Sequence, residues 1–211
     1  MLAREARRQL TLMLERARGQ GLLGGVPVED HLRHGEAFAE AVGGAFSGRM
    51  LDLGSGAGVP GLVLLLLWPE ATSTLVDSQR RRCVFLETAA RDLGVEDRTV
   101  VACGRAEELA RRSDLRGGHD LVVARAFGHP ATTAECGVGF LRPGGRLVVS
   151  EPPGEPERGR WPSEGLAELG LRGPELAGGP GARFAILTLT GTAGERWPRR
   201  VGVPGKRPLW P

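Results

Sequence analysis

The stretch Leu51-Asp-Leu-Gly-Ser-Gly-Ala-Gly-Val-Pro-Gly61 constrains this chain more than any other. Short apolar residues with strand character run into a cluster of glycines. The apolar run from Leu62 to Trp68 follows at once. A strand that turns on glycines into a helix opens a βαβ unit. Glycines there let backbone amides approach a ligand where a side chain would collide. Gly56, Gly58 and Gly61 also fit G-x-G-x-x-G, a spacing that a dinucleotide fold shares.

Downstream of that loop the pattern alternates. Strands are expected over Met50–Leu53, Ser73–Asp77, Thr99–Cys103, Leu121–Ala124 and Arg146–Ser150. Helices are expected between them, over Gly61–Trp68, Gln79–Leu93, Ala106–Arg112 and near Thr132–Leu141, with Ser78 near the start of the second and Gly94 just past its end. Strands separated by helices imply parallel pairing and a doubly wound α/β sheet. Two helices are expected ahead of it, over residues 1–20, with Leu10, Met13, Leu14 and Ala17 at helical spacing, and over Val28–Val42. Residues 152–182 are rich in Gly and Pro, with only Gly165–Leu171 hinting at order. Phe184–Thr190 reads as a last, antiparallel strand, and the rest as a loop. The expectation is one domain over 1–211: a helical extension (1–45), a cofactor-binding core (46–150) and a C-terminal strand region with a basic tail (151–211).

Bulk properties narrow the class. The 211 residues bury enough surface to need no metal or disulfide for stability. Cys83, Cys103 and Cys136 have neither C-x-x-C spacing nor an even count, which argues against a zinc site and a disulfide scaffold and fits a reducing compartment. With no signal-like segment and no apolar run long enough to span a bilayer, a cytoplasmic protein without a membrane partner is expected. Net charge is only +3, yet Arg196, Arg199, Arg200, Lys206 and Arg207 crowd the last sixteen residues with no acid among them. Such an end marks a polyanion-binding face or simply solvated charge.

Around the glycine loop, candidates for cofactor binding follow from position. Gly54, Ser55, Gly56 and Gly58 supply the loop. Asp52, inside the strand, would face the pyrophosphate of a dinucleotide but suits the ammonium of a methionine group, which favours S-adenosylmethionine over a nicotinamide cofactor. Asp77, ending the next strand, suits a ribose diol. The Ala106 amide and the Glu107 side chain fall where an adenine edge would lie, although an acid at a helix start is also simply favoured by the helix dipole.

At these residues the chain resembles the bacterial small-subunit ribosomal RNA methyltransferase G (GidB-like) family. The matching strings are LDLGSGAGVPGLVL (51–64), TLVDSQRRRCVFL (74–86), GRAEEL (104–109), VVARAF (122–127), LRPGGRLVV (141–149) and the closing RRVGVPGKRPL (199–209), with Arg33-His34 upstream. The resemblance implies a Rossmann-like class I methyltransferase fold, S-adenosylmethionine as cofactor, and methylation of guanine N7 in 16S ribosomal RNA, on the RNA or the small subunit. N7 carries an in-plane lone pair, so alignment rather than a general base does the work. Arg125, after the fourth strand, is the candidate for positioning methionine or a substrate phosphate. Arg200 and Lys206 are candidates for contacting phosphate or guanine O6.

Departures from the family pattern lie on the substrate side. An Asn-Leu-Thr segment is missing. Glu36-Ala37-Phe38 stands for Leu-Asp-Ser, and Glu151-Pro-Pro-Gly154 for a Lys-Gly pair. They keep open a small-molecule methyltransferase. A dehydrogenase is disfavoured by Asp52, and an RNA-binding module without catalysis would bind RNA but not the cofactor. His31 and His34 could be catalytic or packing residues. Trp197 and Trp210 could stack on bases or pin the tail. Oligomeric state is not legible.

Overall fold

A computed structural model describes residues 2–154, 159–179 and 181–211. Seven strands form one sheet in the order β3-β2-β1-β4-β5-β7-β6. The strands are β1 Arg49–Leu53, β2 Thr72–Asp77, β3 Thr99–Cys103, β4 His119–Ala124, β5 Leu141–Ser150, β6 Leu171–Gly179 and β7 Ala182–Leu189. β1 to β5 pair in parallel, and β7 lies antiparallel between β5 and β6. The helices are α1 Arg4–Gly19, α2 Val28–Val42, α3 Gly61–Leu67, α4 Arg80–Asp92, α5 Ala106–Leu109, α6 Pro130–Val138, α7 Ser163–Glu168 and α8 Val203–Lys206.

The central strands are apolar because both faces are covered. Along β1, Met50 enters one core while Leu51 and Leu53 enter the other. Along β4, Leu121 and Val123 alternate likewise with Val122 and Ala124. The first core carries α1 to α4. Leu10, Met13, Leu14 and Ala17 are the buried stripe of α1, as their spacing requires. Helix α2 packs so close to α3 that a Cβ on Gly35 would lie 2.7 Å from Val63. Gly43, with φ 108°, ends α2 in the left-handed region that glycine tolerates.

Some expectations need correction. β6 falls in a stretch expected to lack regular structure. It is an edge strand on which only Leu171 is buried, so it lacks an alternating apolar signature, and Pro174 sits where its register shifts between Arg172 and Glu175. α7 covers Ser163–Glu168 within the same stretch. Ser78 lies just before α4 as expected, no side chain caps the helix, and the Gln79 amide donates to Asp77 Oδ1 at 2.9 Å. Cys83 and Cys103 are disulfide-bonded across a Cα–Cα distance of 5.8 Å, against the expectation of free thiols. Cys103 pairs in register with Asp77 at the end of β3, and Cys83 lies in the first turn of α4 beyond β2. The fold joins what a separation of 20 residues hides.

Candidate active site

Every parallel strand ends on the same edge of the sheet, and the order of the strands reverses between β1 and β4, the place where open α/β sheets hold ligands. Gly54, Gly56 and Gly58 have φ of 77°, 57° and 90°. A Cβ on Gly58 would stand 2.5 Å from Leu62, and one on Gly61 would stand 2.6 Å from Asp52 Oδ2. Small size, not only backbone freedom, is therefore required here. The Ser55 hydroxyl donates to the Asp52 carbonyl at 2.9 Å and locks the turn.

Asp52 is 1% exposed. Its Oδ2 accepts the Gly61 amide at 2.9 Å, while its Oδ1 is buried without a partner. Burial raises its pKa to about 7, against the opposing pull of the Gly61 bond and of Arg125. Asp77 is buried too. Its Oδ2 accepts the Gly56 amide at 3.0 Å and faces Arg82 at 3.5 Å, so it braces the glycine loop.

Beyond this loop a cleft of about 450 Å³ is lined by Gly54, Asp77, Ala106, Glu107, Phe127 and Gly205 among others. Glu107 is buried, and its Oε1 accepts Arg105 Nη2 at 2.9 Å and the Gly202 amide at 3.0 Å. That carboxylate therefore ties the C-terminal segment to the cleft wall. Nothing in the sequence pointed to this contact.

On the other side, a groove of about 1100 Å³ is lined by His31, His34, Arg125, Ser150 and Pro153 among others. Ala126 borders both cavities. Its φ of 52° is rare for a residue with a side chain, and it lets the chain turn between them. Arg125 is half-buried. Burial pulls its pKa down and Asp52 opposes that pull.

The structure thus brings Asp52, the glycines, Asp77, Ala106 and Glu107 to one edge, with Arg125 facing the neighbouring groove. Arg200 and Lys206 stand exposed on the segment that borders the cleft through Gly202 and Gly205. That segment is ordered by partners of its own. Buried Glu135 accepts the Arg199 amide and its Nε at 2.8 Å and its Nη2 at 2.6 Å. The Thr132 hydroxyl donates to the Pro204 carbonyl at 2.9 Å. Trp197 and Trp210 are buried and donate to the Glu168 and Arg160 carbonyls, so they pin the tail. Glu36, a departure from the family pattern, accepts the Leu2 amide and Arg7.

Strand order, the crevice at the reversal and the glycine loop after β1 together define the class: a class I S-adenosylmethionine-dependent methyltransferase fold. Solved structures agree. The chain is similar to the mitomycin 7-O-methyltransferase (TM-score 0.62, 16% identity, 86% of this chain and 60% of that one). It is also similar to a SAM-dependent methyltransferase from Aquifex aeolicus (TM-score 0.57, 16% identity, 77% and 92%). Sequence comparison is narrower. Residues 28–151 match the model of the family described as rRNA small subunit methyltransferase G. Ribosomal RNA small subunit methyltransferase G of Deinococcus deserti is 38% identical over 168 residues, covering 77% of this chain and 68% of that protein. The protein of that name from Thermotoga neapolitana is 37% identical over 167 residues, covering 77% and 72%. The chain belongs to the rRNA small subunit methyltransferase G family.

Proposed function

We propose that this protein transfers a methyl group from S-adenosylmethionine to N7 of a guanine in small-subunit ribosomal RNA. The observation that carries this reading is family membership across the very residues that build an intact cofactor cleft.

The residues fit that cofactor. Asp52 Oδ1, buried and without a partner, is an acceptor ready for an ammonium group. The glycine loop is a cradle that a Cβ would fill. Asp77 is the acceptor for ribose hydroxyls, exchanging its bond to the Gly56 amide for them. Ala106 and Glu107 form the wall for the adenine. When bound, the cofactor supplies an electrophilic methyl group on sulfur.

The chain's own task is alignment. Arg125 holds a phosphate or the methionine carboxylate at the junction of cleft and groove, and the exposed Arg200 and Lys206 hold RNA phosphate at the far rim. No proton has to be removed from N7 before the transfer, so no general base is required.

Incubation with the cofactor and small ribosomal subunits, followed by borohydride reduction and aniline cleavage, tests the acceptor atom, because 7-methylguanosine is selectively labile to that treatment. One strong cut in the small-subunit RNA is expected. Methylated RNA that resists cleavage would move the acceptor to another atom.

A further inference from the structure

Helix α2 brings His31 and His34 to the same groove, and the mechanism above uses neither. His31 is 7% exposed. In both residues the Nε2 atom is buried and without a hydrogen-bond partner. Both line the groove that Arg125 enters. A buried polar atom without a partner is costly unless a ligand completes it, and here two residues of one wall carry such an atom. The His34 ring packs between aromatic neighbours, 5.4 Å from that of Phe38 and 5.5 Å from that of Phe184.

Building on the proposed function, we infer that His31 and His34 form the receiving wall for the acceptor base, their Nε2 atoms hydrogen-bonding the O6 and N1–H edge of guanine so that N7 is left free to face the cofactor cleft. Guanine offers an acceptor and a donor side by side on that edge. Two neutral imidazoles can match them, since each has one nitrogen that donates and one that accepts, by choice of tautomer. Both groups are suited to stay neutral. Burial and Arg125 lower the pKa of His31 and bring that of His34 to about 4. A charged imidazole would oppose the positive charge that the purine gains on methylation, and a neutral one does not. Asp30 and Glu40 line the same groove, and Asp30 is engaged by Arg33. His31 and His34 are thus positioning residues that select and orient the base.

The experiment compares His31 and His34 each replaced by Leu, Gln and Asn. Gln carries an amide nitrogen near the position of Nε2, whereas Asn is too short to reach it. For each variant, kcat and KM are measured on small ribosomal subunits, cofactor Kd by calorimetry and the melting midpoint by calorimetric scan. The Leu and Asn variants are expected to lose about tenfold or more in kcat/KM, the Gln variants to stay within about threefold of the native protein, and cofactor Kd to be unchanged in all. Should any Leu variant fail to fold, the Gln and Asn pair decides alone. Equal activity of Gln and Asn variants, whether high or low, overturns the inference, and so does a parallel loss of cofactor affinity. If the native protein methylates no ribosomal RNA, the proposed function falls and takes this inference with it. If it does and the Leu and Asn variants match it, only the inference falls.

Discussion

The Asp52 carboxyl sits where burial favours its neutral form and where a bound ammonium would favour its charged form. Its pKa is raised from an ordinary 3.8 to about 7. A raised folded-state pKa means that the folded protein holds the proton more tightly than the unfolded chain. The resulting stabilisation is full below the unfolded value and is lost as pH rises through about 7. Free protein should therefore become less stable between roughly pH 4 and 7. Asp52→Asn should flatten that slope in thermal melts and leave the free protein more stable than native above pH 7. Cofactor affinity runs the other way: it should strengthen as pH rises toward 7 in the native protein and be weak and flat in Asp52→Asn. A variant that keeps the native pH profile would remove Asp52 from the ammonium site. Asp77→Ala should weaken cofactor binding by about 1–3 kcal/mol in calorimetry, through loss of charge-assisted bonds. Unchanged affinity would overturn the ribose assignment. At this scale the sequence was informative about which residues gather at the edge, because strand ends and glycine spacing decide that. It was silent about the orphaned Oδ1 of Asp52 and the φ of Ala126, which depend on three-dimensional packing.

Elements with an apolar pattern were legible, the edge strand β3 among them, and the patternless edge strand β6 was not. β1 and β4 carry apolar runs with glycines beside them, β2 carries the apolar pair Leu75-Val76 before Asp77, and α1 shows its stripe at the helical period. β6 escaped detection because neither of its faces is covered enough to impose a pattern. The tail gave a different kind of surprise. Its arginines read as one basic patch, yet Arg199 is held by Glu135, which is 0% exposed, and Arg196 pairs with Glu168. Complementary acids lie 64 and 28 residues away in sequence, beyond the reach of local charge patterning. Glu135→Ala should free the segment over 197–207 and cost about 3 kcal/mol, since it strands a partly buried guanidinium. Hydrogen exchange should then show faster amides in that segment. Native protection there would mean that Glu135 does not anchor the tail.

Across the whole molecule, two cavities meet at Ala126: a cleft carrying the family's cofactor motif and a groove with Arg125 and two histidines. The near-neutral net charge of +3 conceals how the cations are used. On α1, Arg7, Arg8, Arg16 and Arg18 are taken up by Glu5, Glu15, Glu29, Glu36 and Asp92, whereas Arg200, Lys206 and Arg207 remain exposed beside the cleft. If that rim meets RNA, Lys206→Ala should reduce the salt slope of RNA binding by about 1 without changing cofactor affinity, as loss of one phosphate contact requires. An unaltered slope would place Lys206 outside the interface. Among the described residues no helix is long and apolar enough to cross a membrane. The acceptor's class is the central claim, and the departures at residues 36–38 and 151–154 lie near the groove that would receive it: Ala37 and Pro153 line it. The most direct measurement offers labelled S-adenosylmethionine with small ribosomal subunits, naked small-subunit RNA and a metabolite extract in parallel. Label in the ribosomal RNA, on the subunit or on the naked strand, is the predicted result. Label confined to the small-molecule fraction would contradict it and make the groove a metabolite pocket.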